Sequence, residues 1–422
     1  MRIAQPWIRI VAVGLLAASA GAAVAVFGPA DLPLRPLARP GPAPDNLVHT
    51  LVKVPREIET TRVTLPGGAV RDVPVPLAAL AADPLVADVS SVDGVTWRVT
   101  GSVPTAEVAA TTGLSTTSDV LMYATETNDT YGSLMWALEN RGGSVGGFAA
   151  VDDADVDGIE SNQKATGAGV VVAIVDSGVQ PDHPDLPALW RNRKEVCGNN
   201  VDDDHNGYVD DCTGWDFVHH DNTPYDTTAN NDHGTHVAGT IAAIPNNGAG
   251  SAGLAPAVTL MSLKITEQGS IYLSDAAEAI RYAADQGAKV VNASFGTSAG
   301  SAPREAAAPL ESAIQYAQSK GVLVVVPAGS DGADTDARPV WPADLPLDNI
   351  ISVGASTEGE QAASFSNYGK TSVDLFAPGH YIVSTVDKGR YDAYQGTSMA
   401  TPHVVAAAAL VLSQEPTLTP AA

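Results

Sequence analysis

Four short runs rich in β-branched residues recur between residues 170 and 353, and they constrain the fold more than any other feature. They lie at 170–175, 289–291, 322–326 and 350–353. The runs lack the polar–apolar alternation of half-exposed strands, as expected for strands buried on both faces of a parallel sheet. Candidate helices lie between them: Ser274 is expected to cap a helix over 275–286, and Pro309 to begin one that reaches Lys320. We therefore predict a three-layer, doubly wound, mostly parallel α/β sheet whose site lies at the carboxyl ends of its strands.

Three polar side chains stand where such a fold places its chemistry. Asp176 directly follows the first run, His233 opens a helix of small residues, and Ser398 opens a long apolar run after a Gly-Thr turn. Pro402 is expected in the first turn of that last helix, where no backbone amide is needed. Each side chain alone has an ordinary structural explanation: a loop carboxylate, a core histidine or a helix cap. Together they supply the orienting carboxylate, the base and the nucleophile of acyl transfer.

The stretches that carry these side chains are 173–178, 233–240 and 396–403. In sequence and in order they resemble the motifs of the subtilisin-like serine proteases (subtilases, peptidase family S8), and the resemblance covers about residues 128–422. It implies that Asp176 orients the imidazole, that His233 is the general base and then the general acid, and that Ser398 is the nucleophile. A helix-borne zinc pair usually has two histidines four apart with a glutamate between them. His233 and His236 are three apart, so we predict no zinc.

The resemblance also implies where a substrate binds. It places one substrate-binding edge at Ser294, Phe295 and Gly296, where extended backbone pairs with a peptide and Phe295 walls the primary specificity pocket. A second edge is expected at 269–272. An ordinary loop between a strand and a helix remains the alternative for both stretches.

One position departs from the family pattern. The family's oxyanion asparagine stands in an Ala-Ala-Gly-Asn-x-Gly stretch, and here 327–332 carries Ser330 in its place. The resemblance therefore implies an oxyanion hole made by Ser330 and by the backbone amide of Ser398. A serine hydroxyl has a shorter reach than an asparagine amide, and loss of the asparagine donor in subtilisin costs about 10²–10³ in rate. We therefore predict a weakened protease rather than an inactive one.

An acidic loop predicts a cation site. Its oxygen ligands alternate along the chain, and they are Asp202, Asp204, Asn206, Tyr208 (through its carbonyl), Asp210 and Asp211. Hard oxygen donors suit Ca²⁺, although the final glutamate of an EF-hand is absent; a solvated acidic loop remains the alternative. Cys197 and Cys212 flank the loop, which predicts a disulfide in an oxidising compartment. The family resemblance implies a second calcium site that includes Asp185 and Asn247.

The N-terminus predicts export. Arg2 and Arg9 precede an uncharged run over 10–30 with small residues suited to cleavage. This pattern is typical of a secretory signal peptide, with an uncleaved membrane anchor as the alternative. Residues 47–123 resemble the family's prodomain in length and position. The resemblance therefore implies that the chain is cut near 124–128 to release the peptidase domain. The predicted domains are a signal peptide or anchor (1–28), a proline-rich linker (29–46), a small α+β prodomain (47–125) and the peptidase domain (126–422).

These features favour a secreted serine endopeptidase, made as a zymogen and stabilised by calcium. Protein or peptide substrates and its own prodomain are the expected partners of a monomer. The formal net charge of -25 disfavours nucleic acid and anionic membrane surfaces. A catalytically weak or inactive subtilase homologue that binds peptides is the alternative, favoured by Ser330 and by the 24 residues that follow Ser398, fewer than the family usually has. The short C-terminal segment predicts either a peptidase domain truncated at its C-terminus or a fragment of a longer sequence. A membrane-anchored surface protein with a vestigial triad is a further alternative.

Overall fold

The structure is a computed structural model that describes residues 127–162, 164–226, 232–267 and 269–420, with short segments between residues 48 and 118. The chain divides into two compact units, Arg39–Thr125 and the remainder. The predicted signal peptide or anchor and the linker lie outside the described residues, as does most of the predicted processing region. Within the described segments, no helix combines the length and the apolar character needed to cross a membrane.

The smaller unit contains six described strands and a short helix. They are β1 (Val48–Lys53), β2 (Thr60–Thr64), β3 (Val70–Pro74), α1 (Ala78–Ala81), β4 (Val86–Ser91), β5 (Thr96–Gly101) and β6 (Thr116–Ser118). Strands β4, β5, β1 and β6 form an antiparallel sheet in that order, and β2 pairs with β3. Leu77, Val89 and Val99 belong to its small buried core.

After a 3-10 helix at Gly132–Leu134, the described part of the larger unit has a hairpin and then alternating strands and helices. Its first elements are β7 (Arg141–Val145), β8 (Phe148–Asp152), α2 (Gly158–Asn162), β9 (Val171–Asp176), β10 (Gly214–Asp216), α3 (Asp232–Ala242), β11 (Thr259–Lys264), β12 (Thr266–Glu267) and β13 (Ser270–Ile271). The remaining elements are α4 (Leu273–Asp285), β14 (Val290–Asn292), α5 (Ala308–Ser319), β15 (Leu323–Pro327), β16 (Ile350–Ser356), β17 (Leu375–Pro378), β18 (Ile382–Val386), β19 (Arg390–Tyr394) and α6 (Thr397–Gln414).

Seven of these strands form one parallel sheet in the order β10-β11-β9-β14-β15-β16-β17. Alternate residues of β9 enter different apolar clusters. Val172 and Ile174 pack with α3 and α6, whereas Ala173 and Val175 pack with α4 and α5. Because both faces of the sheet are covered, its strands are continuously apolar. The predicted three-layer α/β fold is therefore confirmed.

The ends of two helices differ from the prediction. Helix α4 begins at Leu273 after an extended Tyr272, so Ser274 lies inside the first turn, where its hydroxyl donates to the Asp275 carboxylate at 3.0 Å. Pro402 is the sixth residue of α6 and lies beyond its first turn. The expectation that Pro402 occupies a position needing no amide was therefore wrong. The carbonyl of Ser398, four residues earlier, needs a hydrogen-bond donor from outside the helix.

Candidate active site

Asp176 and His233 form a hydrogen-bonded pair at the carboxyl end of β9. Asp176 is the last residue of that strand and is 4% exposed, and its Oδ1 accepts the Ser177 amide at 2.7 Å. The Nδ1 atom of His233, in the first turn of α3, lies 2.8 Å from Asp176 Oδ1 and 2.9 Å from Oδ2. An ionised carboxylate only accepts hydrogen bonds, so Nδ1 carries the proton. The Nε2 atom of His233 is then the acceptor that a general base requires.

The environment of His233 changes its pKa in two opposing ways. Burial favours the neutral imidazole and lowers the pKa, whereas the charge of Asp176 and the hydrogen bond to it favour the imidazolium. The net result is a pKa raised above the ordinary histidine value. The side chain is still 38% exposed, so it remains accessible to a reacting group.

Ser398 stands at the start of α6, directly after a glycine turn. Gly396 precedes the helix with φ of 152°, a conformation that favours glycine, and its amide donates to the Gly379 carbonyl at 2.8 Å. The Ser398 hydroxyl donates to the Ser294 carbonyl at 3.2 Å rather than to His233. Catalytic hydrogen bonds are often long or misaligned without substrate, and a rotation about the Cα–Cβ bond of Ser398 releases the hydroxyl from this contact.

Ser294 is tied to Ser398 a second time. Its hydroxyl donates to the Ser398 carbonyl at 3.1 Å, and the side-chain amide of Asn292 donates to the Ser294 hydroxyl at 2.9 Å. Pro402 has no N–H to donate to the Ser398 carbonyl four residues earlier. Ser294 therefore supplies the missing donor and connects the end of β14 to the turn that bears Ser398. Asn292 is the last residue of β14 and is fully buried.

The stretch expected to bind substrate follows β14. Ser294 and Phe295 are 6% and 8% exposed, whereas Gly296 is exposed. The Phe295 ring belongs to the apolar cluster that contains Val340 and Trp341. The second expected edge includes β13, which pairs with β12, and Tyr272 beyond it is 74% exposed. The two stretches thus combine exposed residues, Gly296 and Tyr272, with a buried aromatic ring at Phe295.

Ser330 lies near the beginning of α6 but is engaged with Thr397. The Thr397 amide donates to the Ser330 hydroxyl at 3.2 Å, and the two side-chain oxygens are 3.1 Å apart. The sequence did not indicate this contact, because nothing in the local pattern pairs two residues 67 positions apart. The backbone amide of Ser398 belongs to the first turn of α6, where amides lack partners within the helix.

The second histidine of the motif has a structural environment. His236 is fully buried and stacks on Tyr394, with ring centroids 4.4 Å apart. Its Nε2 lies 2.9 Å from the Ile382 carbonyl, and burial lowers its pKa to about 3. His236 is therefore a neutral histidine of the core, held by the Ile382 carbonyl.

The acidic loop is closed by a disulfide between Cys197 and Cys212, whose Cα atoms are 5.9 Å apart. Within it, Asp202 and Asp204 come together with Glu195, with one carboxylate oxygen of each residue lying within 4.8 Å of the others. Glu195 is 8% exposed, and its Oε2 has no hydrogen-bond partner among the described residues. A buried carboxylate with an unpaired oxygen, in a group of three carboxylates whose oxygens lie close together, fits a hard cation such as Ca²⁺. The sequence motif did not reveal Glu195, which lies seven residues before its first aspartate.

The other predicted ligands of this loop make different contacts. Asp210 accepts the amides of Gly198 and Asn200 at 2.8 and 2.7 Å, so it binds the backbone after Cys197. Asp211 accepts from the side chains of Asn192, Asn206 and Tyr282. The Tyr208 hydroxyl donates to Glu278 at 2.9 Å, and the Asn206 side-chain oxygen accepts the Tyr208 amide at 2.7 Å. These residues hold the shape of the loop around the carboxylate cluster.

The second predicted calcium site brings Asp185 and Asn247 into contact. The side-chain amide of Asn247 donates to Asp185 Oδ1 at 2.6 Å, and the Ser251 amide donates to Oδ2 at 3.0 Å. Asp185 is fully buried, and burial raises its pKa to about 6. The nearby Asp129 carboxylate accepts the amides of Asn246 and Asn247. Asn247 thus turns its amide nitrogen to Asp185, and its side-chain oxygen accepts the Ala249 amide at 2.8 Å.

The structure thus places a carboxylate–imidazole pair and a serine near the carboxyl ends of parallel strands of an α/β sheet. Comparison with known proteins identifies the class more closely. The model of the subtilase family (Peptidase_S8) matches residues 167–422. This chain belongs to the subtilase family.

Several characterised proteins are similar to this chain. It is 42% identical over 248 residues to the thermophilic serine proteinase of Bacillus sp. (strain AK1). The aligned region covers 58% of this chain and 53% of that protein. It is 40% identical over 251 residues to thermitase of Thermoactinomyces vulgaris, with coverage of 59% and 77%. The matched region thus spans about half the length of the first relative. A protease from Pseudoalteromonas arctica PAMC 21717 superimposes with a TM-score of 0.53 at 29% identity, over 70% of this chain and 89% of that one.

Proposed function

We propose that the chain is a secreted serine endopeptidase, made as a zymogen, that hydrolyses peptide bonds through an acyl-enzyme. The observation that carries the proposal is the Asp176–His233 pair with Nδ1 bonded to both carboxylate oxygens. The pair fixes the tautomer in which Nε2 accepts a proton. The likeness to proteins named as serine proteinase and thermitase supports peptide bonds as the substrate.

The proposed reaction has two halves. Ser398 Oγ attacks the scissile carbonyl carbon while its proton passes to His233 Nε2, and Asp176 stabilises the imidazolium that forms. His233 then gives that proton to the leaving amine, and the C–N bond breaks to leave an ester on Ser398. In the second half, water attacks the ester, His233 takes its proton, and the carboxylic acid leaves as Ser398 regains a proton. The Ser398 amide and Ser330 face the negative charge that develops on the carbonyl oxygen.

Calcium is proposed as a stabilising ion rather than as a participant in the reaction. Glu195, Asp202 and Asp204 would hold one ion, since their oxygens already converge and Glu195 Oε2 lacks a partner among the described residues. Asp185 and Asn247 would contribute to a second. A bound ion supplies charge neutralisation to buried carboxylates and stabilises the folded state by mass action.

A catalytically weak homologue is the second candidate. The observation that favours it is the Ser330 hydroxyl, which accepts the Thr397 amide. An effective oxyanion donor must point its proton at the developing negative charge. The Ser330 hydroxyl is instead already in contact with Thr397. Measured turnover separates the two candidates, because a peptide-binding homologue binds substrate without releasing product.

The test of the proposed function is labelling of the matured protein with a fluorophosphonate probe. The reagent reacts with an activated serine, so the expected result is one label that the Ser398→Ala variant lacks. Ser319→Ala, at an exposed serine at the end of α5, is the matched control and should label like the unaltered protein. Absence of Ser398-dependent labelling, with the protein folded, would overturn the proposal.

A further inference from the structure

A disulfide closes the acidic loop that is proposed to bind calcium. Cys197 and Cys212 are 15 residues apart in sequence, and Asp202 and Asp204 lie within the ring that the bond closes. Glu195, the third carboxylate of the group, lies just before Cys197. The covalent bond therefore joins the segment that carries Glu195 to the far end of the segment that carries the two aspartates.

Side chains, rather than regular secondary structure, hold the ring in shape. All residues of the range 198–211 are described, and none of them belongs to a helix or a strand. Asp202 accepts the amides of Asn206 and Gly207 at 3.0 and 2.8 Å, and Asp210 binds the backbone after Cys197. The shape of the ring therefore depends on carboxylates that bind its own backbone.

Three residues of the ring that are not glycine have a left-handed backbone. Asn200, His205 and Asp210 have φ angles of 58°, 57° and 56°. Residues with a Cβ atom keep this conformation where surrounding contacts favour it. Each of the three is therefore a position at which the backbone can relax once the ring is opened.

Repulsion between like charges opposes the closed arrangement. Glu195, Asp202 and Asp204 each place one carboxylate oxygen within 4.8 Å of the other two. Lys194 lies 4.0 Å from Asp204, but its side chain is 69% exposed and offsets little of the repulsion. Glu195 is buried, and its Oε2 has no hydrogen-bond partner among the described residues. A calcium ion would neutralise this group, and without an ion the carboxylates favour separation.

The disulfide can be reached from solvent. Cys197 is exposed and Cys212 is half-buried. Exposed disulfides are more easily reduced than those buried in a core. The chain has no other cysteine, so reduction yields two thiols that cannot form a different bridge within the chain. The ring therefore has two covalent states, closed and open.

We propose that the disulfide and the calcium site form one redox-sensitive unit, in which the closed ring binds calcium tightly and reduction by a dithiol weakens this binding. The bridge limits the number of open conformations that the loop can adopt. Once it is broken, noncovalent contacts alone oppose the repulsion among the carboxylates. Coupling between two sites is reciprocal, so bound calcium in turn protects the disulfide from reduction. The inference rests on the calcium site of the proposed function.

The reduction transfers two electrons and two protons from the dithiol to the chain. A thiolate of the dithiol attacks one cysteine sulfur, the Cys197–Cys212 bond breaks, and the other cysteine leaves as a thiolate. The second thiol of the reductant then attacks the mixed disulfide, closes the reductant's own disulfide and releases the first cysteine. The two protons lost by the dithiol pass to the two cysteines.

The first test is calorimetric titration of the chelated protein with CaCl2, before and after reduction with dithiothreitol. The fluorophosphonate probe is added first, so that self-digestion does not imitate a loss of calcium. Glu195→Gln identifies the Glu195-dependent site as the one that it lacks. We expect the Kd of this site to rise by about 10–100-fold on reduction. The second proposed site, at Asp185 and Asn247, is the internal control, and its Kd should not change.

The second test measures the reciprocal effect of calcium on the disulfide. The unaltered protein is equilibrated in mixtures of reduced and oxidised dithiothreitol, with CaCl2 or with chelator and KCl at the same ionic strength. Free thiols are then alkylated and counted from the intact mass. Calcium should favour the disulfide by the same factor of about 10–100, which lowers its reduction potential by about 30–60 mV, since tenfold is about 30 mV for a two-electron couple. Glu195→Gln keeps both cysteines and should show little shift.

A chain without the disulfide separates the opening of the ring from side effects of the reductant. Cys197→Ser combined with Cys212→Ser should bind calcium as weakly as the reduced protein, and its melting temperature shows whether it is folded. If this double variant does not fold, the dithiothreitol equilibrium of the unaltered chain still decides the proposal.

Two outcomes overturn the proposal. One is a Kd of the Glu195-dependent site that agrees within about twofold in the oxidised and reduced protein. The other is an equal effect of calcium on the disulfide in the unaltered chain and in Glu195→Gln, which would mean that calcium acts through the fold in general. Absence of a Glu195-dependent site from the oxidised protein would overturn the calcium proposal and this inference with it. Failure of the proposed protease activity is seen separately, as absence of Ser398-dependent labelling.

Discussion

At the scale of single residues, His233 links the charge of Asp176 to the pH at which the site can work. Only the neutral imidazole takes a proton from Ser398, so protonation of His233 switches the base off. The raised pKa of His233 affects the stability of the folded protein in the opposite direction: the protonated form, which is inactive, is the one that stabilises the fold. Because its folded-state pKa is raised, His233 stabilises the folded protein below the unfolded-state pKa near 6.5, and this contribution is lost as the pH rises through the folded-state pKa. A loss of activity on acidification therefore does not arise from unfolding driven by this residue.

We expect kcat/KM to rise with pH through a midpoint above 6.5, since Asp176 raises the pKa of His233. Asp176→Asn should lower kcat by about 10⁴ and move the midpoint to lower pH, because the charge that favours the imidazolium is gone. The measurement is hydrolysis of a chromogenic peptide between about pH 5 and 9. Asp348→Asn, at an exposed aspartate, is the control and should leave the profile unchanged. A midpoint that does not move in Asp176→Asn would contradict this account.

Individual elements show how far the sequence determines the site. The strands were predictable because burial on both faces makes each run continuously apolar, and Asp176 was predictable because it ends one of them. The start of α4 was not, because Tyr272 is extended and Leu273 already helical, and no side-chain cap marks the change. Pro402 illustrates a second limit. Its position in α6 depends on Ser294, a residue 104 positions from Ser398, which supplies the donor that the proline lacks.

The acidic loop combines a local motif with a contact that the motif does not contain. The aspartates at 202 and 204 were predicted from their spacing, but Glu195 joins them because its Oε1 accepts the amides of Asp203 and Asp204. Asp210 and Asp211 fit the same spacing and yet bind backbone and side-chain donors. Alternating oxygen ligands therefore predict that a loop folds around carboxylates, and only the folded chain distinguishes which carboxylates converge.

At this loop we expect Glu195→Gln to remove one calcium site while keeping the acceptor that holds the Asp203 and Asp204 amides. Calcium at 100 times its Kd stabilises the folded state by about 2.7 kcal/mol per site, which corresponds to about 5–10 °C in Tm for a domain of 150–250 residues. Chelation should lower the Tm of the unaltered protein by this order, and by less in Glu195→Gln.

Calorimetric titration of the chelated protein checks the calcium prediction directly, with one site fewer expected in Glu195→Gln. Glu160→Gln changes an exposed glutamate outside the loop and is the matched control. If the number of sites and the effect of chelation are the same in both variants, the convergence of Glu195, Asp202 and Asp204 does not bind calcium.

At the scale of the whole molecule, the smaller unit bears on the proposal that the protein is made as a zymogen. Arg39–Thr125 is a separate compact unit with an antiparallel sheet and its own small core. A unit that is compact in itself can be cut from the rest of the chain without removing any strand of the parallel sheet, whose first strand is β9. Cleavage near 124–128 is thus compatible with the integrity of the larger unit.

If the chain cuts itself, as we propose, the mature protein should begin within 124–128, and the Ser398→Ala variant should keep the residues before 124. N-terminal sequencing and intact-mass measurement of the two secreted products check this result. Ser319→Ala should be processed like the unaltered protein. Addition of a trace of the matured protein to purified Ser398→Ala tests cleavage between molecules, since an active copy can then supply the missing nucleophile. If Ser398→Ala, expressed alone, is recovered with the same N-terminus as the unaltered protein, another protease makes the cut. The proposal of a self-processing zymogen would then be wrong. Labelling of Ser398 would still decide whether the protein is an active protease.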